Sequence, residues 1–109
     1  MTPAPVDLPT IWRGADYDAI FFYWKDQNGN PFVFSTGWQF FAQTDQFDLN
    51  GVIFNAAAGI TSLGLNNLQT APFKLGVQNW NCWFVLPSGE ITPPFLAGKV
   101  PVREKNSYP

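Results

Sequence analysis

Between Gln78 and Val102 the chain alternates so regularly that a β-hairpin is the conformation it fits. In QNWNCWFVL, residues 78–86, Trp80, Cys82, Phe84 and Leu86 share one face, and Asn79, Asn81, Trp83 and Val85 share the other. Aromatic residues suit a pleated, packed surface, and Pro87-Ser88-Gly89 supplies turn chemistry before the strand returns over residues 90–102. Pro93 and Pro94 carry no N–H, so the returning strand must be an edge there or bulge out of the ladder. The face with Trp80, Cys82, Phe84 and Leu86 is expected in a core. The Trp83 face is left to look outward.

The remaining segments repeat this pattern in shorter pieces. Residues 1–10 carry prolines and little periodicity, and read as an extended N-terminal arm; Ile11 and Trp12 open a short first strand. Residues 19–25 (AIFFYWK) are apolar on both faces, which predicts a strand buried on both sides, with Phe21 in the core and Phe22 and Trp24 on a second, contact-making face. Asn28-Gly29 predicts a type I′ hairpin turn, with residues 32–34 and 38–43 returning around a bulge at Ser35-Thr36-Gly37. Val52–Phe54 and residues 60–65 form two further strands, Thr61, Leu63 and Leu65 sharing a face. Asn66 or Asn67 caps one helical turn that Pro72 stops. Short strands divided by Gly, Asn, Asp and Pro clusters predict an all-β antiparallel sandwich over residues 11–102, or alternatively a small β-barrel, followed by a C-terminal tail at 103–109. Lys99, Arg103 and Lys105 gather basic charge near that tail, where solvation is the expected role.

Composition narrows the function classes. One domain of 109 residues is long enough to bury a single core. Aromatic residues make up 17% of it and charged residues 13%, about half of what ordinary soluble domains carry. Five Trp, three Tyr and eleven Phe are hard to hide in so small a body, so some rings are expected in exposed patches of the kind that contact other proteins. A net charge of −2 gives no electrostatic reason to expect nucleic acid or an anionic membrane as partner. There is no His, which removes the commonest general base and metal ligand. The lone Cys82 has no basic neighbour in Asn81 or Trp83, and reads as a small buried hydrophobe. No stretch approaches a membrane span and no basic segment followed by an apolar run opens the chain, so a cytoplasmic product without a secretion signal is expected.

The polar clusters are weak as sites. Residues 26–30 (DQNGN) place oxygen ligands at alternate positions, as a calcium loop begins, but Pro31 stands where Gly is needed and Gly37 where a bidentate Glu belongs. Asp45, Asp48 and Asn50 read as turn caps. Asp16 and Asp18 come nearest to a paired-carboxylate site, without a cleft to serve. No enzyme activity, cofactor or metal is expected.

Taken in order, Gly14-Ala15-Asp16, the turn Lys25-Asp26-Gln27-Asn28-Gly29, the step Ser35-Thr36-Gly37, then Leu75-Gly76-Val77, Pro87-Ser88-Gly89 and residues 97–102 resemble landmarks of the small immunoglobulin-like domains of tailed-bacteriophage virion proteins, such as the N-terminal domain of baseplate upper proteins. The resemblance spans about Asp7 to Val102. It implies an immunoglobulin-like β-sandwich and a non-enzymatic virion structural protein, either a capsid decoration or cement protein or a tail or baseplate component. Such a protein assembles with its own copies and with neighbouring virion proteins. Trp12, Phe22, Trp24, Trp38 and Trp83 are the expected contact residues. The alternative is a carbohydrate- or receptor-binding module of a phage particle, because exposed Trp and Phe beside Asn and Gln can stack on sugars.

Overall fold

The computed structural model describes residues 3–105. Eight strands and one short helix follow in order: β1 (Ala4–Pro5), β2 (Ile11–Arg13), β3 (Tyr17–Tyr23), β4 (Gln39–Thr44), β5 (Val52–Asn55), β6 (Ile60–Leu65), α1 (Asn67–Thr70), β7 (Gly76–Val85) and β8 (Leu96–Glu104). They form two sheets. The larger has the order β1-β8-β7-β4, with β2 also beside β8, and the smaller has the order β3-β6-β5. This is the strand arrangement of an immunoglobulin-like sandwich, and the all-β expectation holds. The larger sheet is mixed, because β1 and β2 run parallel to β8.

The long hairpin is the spine of the larger sheet. Pairing runs from Gly76↔Val102 to Cys82↔Leu96 and resumes at Val85↔Ile91, so the segment holding Pro93 and Pro94 loops out of the ladder. That outcome follows from two consecutive residues without a donor. Leu86 N–H donates to Glu90 O (2.9 Å) and Gly89 N–H to Leu86 O (2.8 Å) to close the turn. Leu86, expected in the core, is only half-buried because it sits at this turn. Trp80, Cys82 and Phe84 are core residues, at 2%, 0% and 3% exposure.

The proline-rich arm is laid along β8. Ala4, Val6 and Leu8 donate N–H bonds to Phe95, Ala97 and Lys99 carbonyls, and the Trp80 indole N–H donates to Val6 O (2.7 Å). Every other residue of the arm meets the sheet, which leaves its prolines free of a donating role. β8 continues through Arg103 and Glu104, which pair with Trp12 and Arg13, and Arg13 Nη2 meets Glu104 Oε1 at 2.7 Å. The part of the expected tail at residues 106–109 lies outside the described residues.

A bulge in β3 overturns the face assignment made for residues 19–25. Tyr17 registers with Leu65 and Ile20 with Leu63, so Asp18 and Ala19 together oppose Gly64. The extra residue reverses the alternation. Tyr17 faces inward, and after the bulge Ile20, Phe22 and Trp24 do so instead of Ala19, Phe21 and Tyr23. Phe21, expected in the core, is 41% exposed and Tyr23 66%. The strand is therefore covered on one side, not on both. Gly64 permits this, since a Cβ there would stand 3.1 Å from Tyr17 O and 3.2 Å from the Ala19 Cα.

The Asn-Gly turn also differs from expectation. Gly29 takes a positive φ of 83° but Asn28 does not, so the turn is not type I′. Asp26 organises it instead: its Oδ1 accepts N–H bonds from Asn28 (2.9 Å) and Asn30 (3.0 Å). Beyond the single bridge Lys25↔Pro31 the chain does not return beside β3; residues 32–34 are not a strand, and β4 crosses to the other sheet. Asn66 caps α1 through Gln69 N–H (2.9 Å), with the Gln69 side chain returning the bond to Asn66 N–H.

Candidate functional site

The five expected contact residues do not form one surface. Phe22, Trp24 and Trp38 point into the sandwich and pack against its core. Phe22 lies against Trp80 with ring centres 6.0 Å apart, and Trp24 meets Phe84 edge-on at 5.1 Å. Trp38 sits between Phe32 and Phe34, each 5.6 Å away, and 5.9 Å from Phe84. These rings close one end of the sandwich around a cavity of about 490 Å³ whose lining includes Trp24, Phe32, Phe34, Trp38, Phe84 and Phe95. Both indole donors there are already used, Trp24 Nε1 by Thr61 Oγ1 (2.8 Å) and Trp38 Nε1 by Ser35 Oγ (3.1 Å). The cluster is core chemistry that reaches the surface. Trp12 lies on β2 at the far edge of the larger sheet, half-buried, beside a recess also lined by Pro9, Asp16 and Lys105.

The outer face of the smaller sheet was missed from sequence. Phe21 registers with Ser62, which registers in turn with Val52; the next row is Tyr23, Ile60 and Asn55. A second bulge, in β5, occurs between Ile53 and Asn55 and leaves Phe54 62% exposed. The Phe54 ring meets Phe21 edge-on at 4.9 Å, although the two strands lie on opposite sides of β6. The pair therefore closes over β6, and Ser62 is only 6% exposed as a result. Neither row contains a charged residue. With Tyr23 and Val52 at 66% and 45% exposure, the face is an uncharged, mostly apolar patch. The one sequence signal for it was Gly64, the residue opposite the bulge.

The outer face of the larger sheet has a different character. Here β4 and β7 place Phe41 opposite Trp83, Gln43 opposite Asn81 and Gln39 opposite Val85. The Phe41 and Trp83 rings are nearly parallel, with centres 5.7 Å apart and planes inclined by 18°. Both are half-buried. Trp83 thus takes the outward place that its alternation predicted, and Phe41 joins it only because β4 is its neighbour. Farther along, Asn79 N–H donates to Asp45 Oδ2 (3.0 Å), and the Asn79 side chain accepts from Lys99 Nζ.

The acidic clusters serve the backbone. Asp16 Oδ1 accepts the Asn67 N–H (2.7 Å) at the start of α1, and Asp18 lies in the β3 bulge. Asp48 Oδ1 accepts the Asn50 N–H (2.8 Å), and Asn50 takes a φ of 58° that its short side chain tolerates. Among the described residues, no three His, Cys, Asp or Glu side chains gather as metal ligands would. Burial pushes the Cys82 thiol up to about 12, against a hydrogen bond with the Leu96 backbone that acts the other way, so it stays protonated and unreactive at neutral pH. Burial likewise raises the Tyr17 phenol, which donates to Pro9 O (2.8 Å). No protein-family model and no curated protein sequence matches this chain.

Proposed function

We propose that the chain is a non-enzymatic structural protein of a tailed-phage particle, a capsid decoration or tail component, which holds its own copies and neighbouring virion proteins through the outer face of the smaller sheet. The observation that carries the assembly role is the uncharged patch of Phe21, Tyr23, Val52, Phe54 and Ile60. Its four most exposed side chains leave on the order of 400 Å² of apolar surface in water. Pairing two such faces buries about twice that, less than the roughly 1,200 Å² of an ordinary stable complex. A contact of that size is weak alone and effective when symmetry repeats it many times, which is the situation in a particle. The virion setting is supported by the ordered landmarks from Gly14-Ala15-Asp16 to residues 97–102 that resemble phage immunoglobulin-like domains.

Sedimentation equilibrium of the purified chain should show weak, concentration-dependent association, lost in a Tyr23→Lys/Phe54→Lys double variant whose circular dichroism is unchanged. A monomer at every concentration, or association that survives the double variant, overturns the assignment of this face. Immunogold labelling of purified particles tests the setting: density at regular capsid or tail positions is expected, and absence from mature particles removes the virion role.

A further inference from the structure

We propose that the outer face of the larger sheet binds a neutral, extended oligosaccharide. This goes beyond assembly and uses the opposite side of the sandwich. The face has two complementary features in adjacent rows. Trp83 and Phe41 stand as a single aromatic unit, rings parallel to within 18°, and offer the apolar contact that the C–H face of a sugar ring needs. On either side, Gln39 and the pair Gln43 and Asn81 present amides. Rows on a strand are two residues or roughly 7 Å apart, comparable with the length of one sugar residue. A sugar seated on the rings therefore places its hydroxyls over the amides before and after it.

These amides are not engaged within the protein. Among the described residues, the side chains of Gln39, Gln43 and Asn81 have no hydrogen-bond partner, and Asn81 Oδ1 is buried without one. A buried carbonyl left without a donor is unfavourable. Turning the Asn81 amide outward breaks no internal bond and brings it to a ligand. Each amide offers both donor and acceptor, and the group that answers both is a hydroxyl.

Charge selects a neutral ligand. The ionised groups at this end of the face, Asp45 and Lys99, are both engaged with Asn79, and nothing beside Trp83 favours a phosphate or a carboxylate. Shape selects a chain over a single sugar, because single small molecules need concave pockets and this face is an open sheet surface. Several sugars laid along β4 and β7 gather enough contact for measurable binding.

The intact chain should be titrated with cellohexaose and with N,N′-hexaacetylchitohexaose, followed by tryptophan fluorescence and by amide NMR shifts. At least one is expected to saturate, with shifts confined to β4 and β7. Trp83→Ala should weaken it by about tenfold or more, and Gln43→Ala, which alters an exposed side chain without a partner, by about threefold to fivefold. The Tyr23→Lys/Phe54→Lys variant should bind as the parent does, which separates this site from the assembly face. Failure of both sugars to saturate at their solubility limits overturns the proposal. So does binding that Trp83→Ala and Gln43→Ala leave unchanged, because the sugar would then lie elsewhere.

Discussion

Neighbouring rings in this protein have opposite roles, and burial at single residues decides which. Phe84 is 3% exposed and touches Phe34, Phe40 and Phe95, with ring centres 5.3, 5.2 and 5.5 Å away. Phe21 is 41% exposed and touches Phe54. Phe84→Ala should therefore destabilise the fold by about 3–5 kcal/mol and Phe21→Ala by less than about 1 kcal/mol, measured by urea unfolding. Similar losses at the two positions would mean that the outer face is covered in the folded monomer. Cys82 supplies a pH-dependent counterpart. Its folded-state pKa is raised from the ordinary 9.0 to about 12, so the folded chain keeps a proton that the unfolded chain releases. The resulting stability is complete below pH 9.0 and is lost as pH climbs from there toward about 12, by up to about 1.4 kcal/mol per pH unit. The fall in urea midpoint between about pH 8 and about pH 11 should shrink in Cys82→Ala, leaving the loss due to Tyr17.

At the scale of elements, one strand edge depends on the lack of a side chain. A Cβ at Gly98 would lie 2.0 Å from Val6 O, the same oxygen that accepts the Trp80 indole. Gly98→Ala should push the N-terminal arm from β8 at a cost of about 2–4 kcal/mol, with faster hydrogen exchange at the Val6 and Leu8 amides than in the parent. Protection that persists at those amides would show that the arm shifts as a unit and stays paired. The elements also show which expectations were readable. The hairpin of β7 and β8 and the capped turn of α1 follow from local chemistry: side-chain alternation, donor-less prolines and a side chain reaching its own helix. The faces of β3 did not, because a bulge depends on the partner strand, and Gly64 lies more than forty residues away in sequence. Asn28-Gly29 misled for a related reason. Asp26 captures the turn's N–H groups, and the following segment is drawn to the opposite sheet.

Across the whole molecule, the two outer faces divide the surface by chemistry. One is apolar, with rings packed over β6; the other sets one ring pair among amides. The sandwich keeps them on opposite sides of a shared core, so a chain fixed to a lattice of copies by one face keeps the other open to solvent. Local sequence determined that this is an all-β protein, that residues 78–102 form its hairpin, and that Trp80, Cys82 and Phe84 face inward, because alternation and turn residues act over a few positions. Trp83 apart, tertiary structure decided which rings are functional candidates. Phe41 becomes Trp83's partner only through the pairing of β4 with β7, and Phe54 meets Phe21 only across β6. Phe22, Trp24 and Trp38 are drawn inside because a one-residue bulge and a crossover turn them toward the core. Periodicity divides a strand into two faces, and only the register with distant strands says which of them water sees.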